Sequence, residues 1–80
     1  MTRSTGKAGA ALSAALDRDS YEWLAVNRPD IAMAIDTELR NGMGPEEIRF
    51  VVQRHVGADR EGLALRCEQA ARHMMQVQAA

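Results

Sequence analysis

Glycine and proline divide this chain of 80 residues into segments that are each long enough for a short helix. Pro29 disfavours α conformation in the residue before it and suits the first position of a new helix. The run from Gly42 to Pro45 repeats the signal, because Gly42 can adopt a left-handed C-cap conformation. Gly57 and Asp59 predict the end of a third helix and the N-cap of a last one, which reaches Gln78. No segment alternates apolar and polar residues as a strand does. The sequence therefore predicts an all-α fold, a small bundle of three to four helices with short Gly/Pro junctions.

Apolar residues recur within these segments at the spacing of a helix. The predicted core stripes are Leu12, Leu16, Trp23 and Leu24 in the first helix, Ile31, Ile35 and Leu39 in the second, Ile48, Val51, Val52, His55 and Val56 in the third, and Leu63, Cys67, Ala70, Met74 and Val77 in the last, with Ala64 and Ala71 beside them. Trp23 is the predicted core anchor between the first helix and the last.

The N-terminal segment Met1–Gly9 consists of Thr, Ser, Gly, Arg and Lys with little apolar content, and it is predicted to be disordered. The single helical domain then spans residues 10–80. Asp19 with Glu22 resembles a capping box, so the sequence leaves open whether the first helix runs unbroken through Asp17–Ser20.

The length and the single cysteine limit how such a domain is stabilised. A core of this size rarely supplies more than about 3–5 kcal/mol, and Cys67 has no second cysteine in the chain with which to form a disulfide. Self-association is therefore expected, and a homodimer is predicted. One cysteine, no signal-peptide run and no long apolar segment favour a cytoplasmic protein with no membrane span.

The chain offers no recognisable catalytic or metal-binding motif. His55 and His73 fall on different predicted helices without zinc-ligand spacing, and Cys67 falls on an apolar stripe. His55 is interpreted as a packed residue that bonds a carbonyl group. The expectation is a protein that is not an enzyme and that needs no metal or cofactor.

Several arginine and large apolar residues lie off the predicted core stripes, and arginine, phenylalanine and methionine are enriched at protein interfaces. The predicted partner-binding residues are Arg49, Phe50, Gln53 and Arg54. The predicted dimer interface is formed by Leu65, Arg72 and Met75. The alternative is that a four-helix domain buries more than one stripe on each helix, so that these residues pack internally.

A DNA-binding function is a second hypothesis. The segment Leu39–Ile48 looks like the helix-turn-helix of small regulators and recombinases, which would place the last helix in the major groove. That helix begins with Asp59, Arg60, Glu61 and Gly62, and the net charge of the chain is −1. Binding to nucleic acid is therefore less favoured than binding to protein.

Three stretches resemble small proteins that phages and mobile elements carry in GC-rich proteobacteria. They are SYEWLAVNRPDI from Ser20 to Ile31, GPEEIR from Gly44 to Arg49 and LRCEQAAR from Leu65 to Arg72. Proteins of that kind include type I anti-CRISPRs, which bind the crRNA-guided Cascade-type complex of Cas proteins and block its access to target DNA. The resemblance implies a non-enzymatic inhibitor, and the near-neutral charge favours steric blocking over DNA mimicry. A helix-turn-helix regulator of a phage operon and an accessory protein of phage assembly are the alternatives.

Overall fold

Four α-helices make up the computed structural model, which describes residues 3–56 and 62–79 and shows no strand within those ranges. In chain order they are α1 (Arg3–Asn27), α2 (Pro29–Arg40), α3 (Pro45–Val56) and α4 (Leu63–Ala79). The predicted all-α bundle is confirmed.

The two Pro/Gly junctions form as the sequence predicts. Pro29 opens α2 with Asp30 in its first turn, and Pro45 opens α3. Gly42 adopts a φ of 98°, which strains a residue with a side chain. The Gly44 amide donates a hydrogen bond of 3.1 Å to the side chain of Glu47, which reaches back to cap the start of α3.

Two helix starts bear on the predictions. α1 spans Arg3–Asn27 and runs unbroken through Asp17–Ser20, which the sequence left open, while the disorder of Met1–Gly9 stays a prediction. The described part of α4 begins at Leu63, after Gly62 with a φ of 67°. The predicted cap at Asp59 and the predicted stop at Gly57 lie outside the described residues.

α4 is the central helix, and the other three helices all pack against it. It supplies six of the eleven buried residues in the described part of the chain, namely Ala64, Cys67, Glu68, Ala70, Ala71 and Met74. Small side chains on α4 allow close approach of its neighbours. Leu24 of α1, Ile35 of α2 and Ile48 of α3 complete the core.

α1 lies antiparallel to α4, as three cross-helix contacts show. Asp17 contacts Arg72, Ser20 contacts Gln69 and the Trp23 ring lies under Arg66, so the residue number rises on α1 as it falls on α4. Trp23 is partly buried against the core between these helices, as predicted.

Several residues of the predicted stripes are exposed. Leu12 and Leu16 are 63% and 48% exposed, and Val51, Val56 and Val77 are also exposed. The reason on α1 is angular: at about 100° per residue, Leu16 lies roughly 80° and Leu12 roughly 120° around the helix from buried Leu24.

Candidate protein-binding surface on the second and third helices

An apolar groove of about 370 Å³ lies between α2 and α3. Its apolar lining consists of Ile31, Ala34, Ile35, Met43, Ile48, Val51, Val52, Val56 and Leu63. Its other lining residues are Arg28, Glu38 and His55, so a mostly apolar surface carries a few polar groups. We call this surface the α2–α3 groove.

The α2–α3 groove exists because α2 packs on α1 and α4, α3 packs on α4, and the two helices touch each other little. On α3 only Ile48 is buried, while Val51 and Val56 remain 39% and 44% exposed. The sequence pattern predicts both valines in the core. All five residues of the predicted stripe on α3 line the groove instead, and of these only Ile48 is buried.

His55 occupies the same face of α3, and its Nδ1 lies 3.0 Å from the Val51 carbonyl oxygen. The interpretation of His55 as a carbonyl-bonded histidine is confirmed. Its side chain is exposed, however, so the histidine belongs to the groove wall and not to the packed core.

The predicted partner-binding residues are only partly brought together. Phe50 is 61% exposed, and the Arg54 guanidinium lies 5.9 Å from the centre of its ring, within cation–π distance. Gln53 is exposed on the same side of α3. Arg49 instead turns toward α4 and pairs with Glu68 at 3.2 Å. Phe50, Gln53 and Arg54 therefore form an outer face of α3 that lies next to the groove.

The three predicted dimer residues differ in whether they are free to contact a second copy. Leu65 and Met75 are exposed on α4, which leaves them accessible. Arg72 is occupied within the chain, because its guanidinium donates to Asp17 at 3.4 Å and to Glu68 at 2.6 Å. Arg72 thus ties α1 to α4.

Arg72 and Arg49 share the buried carboxylate of Glu68, and Asp17 is buried beside them. Burial disfavours the charged form of Arg72, but the hydrogen bonds to Glu68 and Asp17 outweigh it and raise the pKa of Arg72. This ion-pair cluster joins α1, α3 and α4. Because its charges bond one another, its role is structural.

A larger opening of about 560 Å³ lies where α1, α2 and α4 meet. Side chains that line it already contact partners within the chain: the centres of the Tyr21 and His73 rings lie 5.1 Å apart, and Asp36 accepts from Gln78 at 3.0 Å and pairs with Arg40 at 3.1 Å. The α2–α3 groove has a more apolar lining and is the better surface for a macromolecular partner.

Within residues 3–56 and 62–79, no group of three His, Cys, Asp or Glu side chains is placed to hold a metal ion. Cys67 is fully buried on α4, where the sequence placed it on an apolar stripe. None of the described helices is both long and apolar enough to cross a membrane.

The position of α4 bears on the helix-turn-helix hypothesis. A recognition helix must expose a face to the major groove. α4 packs against three helices with Ala64, Cys67 and Ala70 inaccessible to solvent, and it exposes Leu65, Met75 and Val77 on its other side. The helix-turn-helix function stays a prediction.

Comparisons with protein families, with characterised proteins and with solved structures find no match to this chain.

Proposed function

We propose that the protein works without catalysis, by holding an amphipathic helix of a partner protein in the α2–α3 groove. The observation that carries this proposal is the exposure of Val51 and Val56 in a groove with a mostly apolar lining. Grooves of this kind accept the apolar face of a helix whose anchors recur every three to four residues. Covering the valines removes apolar surface from water, which is the main source of association free energy.

The outer face of α3 extends the contact. Phe50 offers a large apolar ring beside the groove, and Arg54 holds a cation over that ring. Aromatic residues and arginine dominate the binding energy of protein interfaces. The two sides of this surface carry opposite charges, with Glu38 on the α2 side of the groove and Arg54 on the far side of α3. A partner helix with one basic and one acidic edge would therefore bind in one orientation, its basic edge toward Glu38 and its acidic edge toward Arg54.

The partner class rests on the resemblance to small phage proteins. It makes the Cascade-type complex of a type I CRISPR system, in the cytoplasm of a bacterial host, the first partner to test, with the protein as an anti-CRISPR. The net charge of −1 supports steric obstruction of the DNA path over imitation of DNA.

The experiment measures binding of the purified protein to a reconstituted type I complex and to its separate Cas subunits by calorimetry. Val51→Asp should weaken binding by about tenfold to hundredfold, because a carboxylate buried in an apolar contact costs a few kcal/mol. Val26→Asp on α1, an exposed position away from the groove, is the matched control. Phe50→Ala tests the outer face with less risk to folding.

Circular dichroism and thermal unfolding of each variant separate lost binding from lost structure. Equal weakening by Val51→Asp and Val26→Asp would contradict the groove as the binding site. Absence of binding to every Cas subunit would contradict the anti-CRISPR assignment.

A further inference from the structure

The opening where α1, α2 and α4 meet has the size and the lining of a small-molecule site, and the proposed function does not use it. Its volume of about 560 Å³ falls within the roughly 300–1,000 Å³ of typical ligand pockets. Ala32 and Met33 of α2 and Met74 and Val77 of α4 supply apolar walls. Such walls favour a compact ligand with an apolar body. We call this opening the three-helix cavity.

Helical spacing explains how the three-helix cavity is built. Its lining positions are 32, 33, 36 and 37 on α2 and 73, 74, 77 and 78 on α4, so each of these helices turns one face toward it over more than one turn. α1 contributes Tyr21, whose ring centre lies 5.1 Å from that of His73 with the two planes tilted by 34°. Two neighbouring rings offer a surface against which a further aromatic ring packs well.

Asp36 sets the charge of the three-helix cavity. It is the only charged group among the described side chains that line the cavity when His73 is neutral. Its carboxylate accepts a hydrogen bond from Gln78 and pairs with Arg40. The Arg40 side chain is 73% exposed, and an exposed pair four residues apart contributes little stability. The ammonium group of a ligand can therefore take the place of Arg40 at small cost.

We propose that the three-helix cavity binds a small aromatic amine, whose ring packs against Tyr21 and His73 and whose ammonium group pairs with Asp36. Met33 and Met74 suit such a ring, because the methionine sulfur makes favourable contacts with aromatic groups. A hydrogen bond from an ammonium group to a carboxylate is stronger than one between neutral groups. The site is separate from the α2–α3 groove, since none of the described residues lines both.

Titrations of the ¹⁵N-labelled protein, followed through its backbone amide signals by NMR, test the site. The probes are tryptamine and indole-3-propionate, which share a ring and a two-carbon chain and carry opposite charges. Tryptamine should shift the signals of residues that line the three-helix cavity, and indole-3-propionate should bind at least about tenfold more weakly. No shift of these signals at millimolar tryptamine, or shifts centred on the α2–α3 groove, would overturn the site.

Variants of the Asp36 pair test the ligand class. Asp36→Asn should weaken tryptamine binding about tenfold and remove the preference between the two probes. Arg40→Met should strengthen tryptamine binding, because it frees the carboxylate; damage to the fold would not have that effect. Asp19→Asn, the same change at an exposed position of α1 outside the cavity lining, is the matched control and should leave both affinities unchanged.

Thermal unfolding checks that each variant remains folded. Equal affinity of the native protein for the two probes would overturn the assignment of an amine. Weakening of tryptamine binding by Asp19→Asn as large as that by Asp36→Asn would overturn the role of Asp36, as would weaker binding to Arg40→Met than to the native protein.

Discussion

Replacement of Arg72 by methionine should destabilise the fold more than loss of any surface ion pair. Arg72→Met keeps most of the aliphatic length and removes the charge from the buried Asp17 carboxylate, which is 3.4 Å away. Removing one partner of a fully buried pair costs about 3–5 kcal/mol. Two features reduce that figure here: the Arg72 side chain is 41% exposed, and Glu68 keeps Arg49 as a partner at 3.2 Å. We therefore expect about 2–3 kcal/mol.

Urea denaturation and thermal unfolding measure this loss. In a domain of this size 1 kcal/mol corresponds to about 4–8 °C, so the melting temperature should fall by roughly 10–20 °C. Arg40→Met is the matched control, because Arg40 forms an i,i+4 pair with Asp36 at 3.1 Å on the surface. That pair should contribute no more than about 0.5 kcal/mol.

A second variant separates the ion pair from general damage to packing. Asp17→Asn removes the carboxylate charge that Arg72→Met leaves buried without compensation, so the double variant should be more stable than the sum of the two single losses implies. If Arg72→Met costs no more than Arg40→Met, or if the losses of Asp17→Asn and Arg72→Met simply add, the assignment of a coupled buried pair is wrong.

Two further changes have expected outcomes. Arg66→Ala should lower the free energy of unfolding by about 0.5–1 kcal/mol, because the guanidinium lies 4.4 Å from the centre of the Trp23 ring. Since Trp23 is the only tryptophan, its fluorescence maximum should shift to longer wavelength as water reaches the ring. An unshifted spectrum would contradict the contact. Gly42→Ala should lower the free energy of unfolding, measured by urea denaturation, by about 1–2 kcal/mol because the φ of Gly42 is 98°. Gly44→Ala in the same turn should cost much less, since an added Cβ would meet Glu47 at an ordinary 3.7 Å. Equal losses in the two variants would refute the backbone argument.

Local signals in the sequence were sufficient for the junctions of the fold. Pro29 and Pro45 open helices, and Gly42 takes the left-handed turn, because these preferences are set by the residue's own backbone chemistry. The Phe50–Arg54 contact was also within reach, since residues four apart on a helix are neighbours.

Contacts between distant segments were not accessible to the same reasoning. Asp19 and Glu22 suggested a break in α1, but the helix continues because Asp17 and Ser20 face inward and bond Arg72 and Gln69, 55 and 49 residues away. The register of α1 on α4 therefore decides that α1 is continuous.

The groove was missed for the same reason. At about 100° per residue, Val51 and Val56 lie on either side of Ile48 and Val52, but this spacing does not show how far that face of α3 is from α2. Only the packing of both helices on α4 leaves the gap between them. The same spacing argument therefore predicted a core where the structure has an open apolar groove.

The central position of α4 has a consequence for how the chain folds during synthesis. α1, α2 and α3 leave the ribosome before the helix against which all of them pack. Until residues 63–79 emerge, Leu24, Ile35 and Ile48 lack most of the surface that buries them. Folding is then expected to be cooperative and to wait for α4, and until then the nascent chain exposes apolar faces of the kind that chaperones bind.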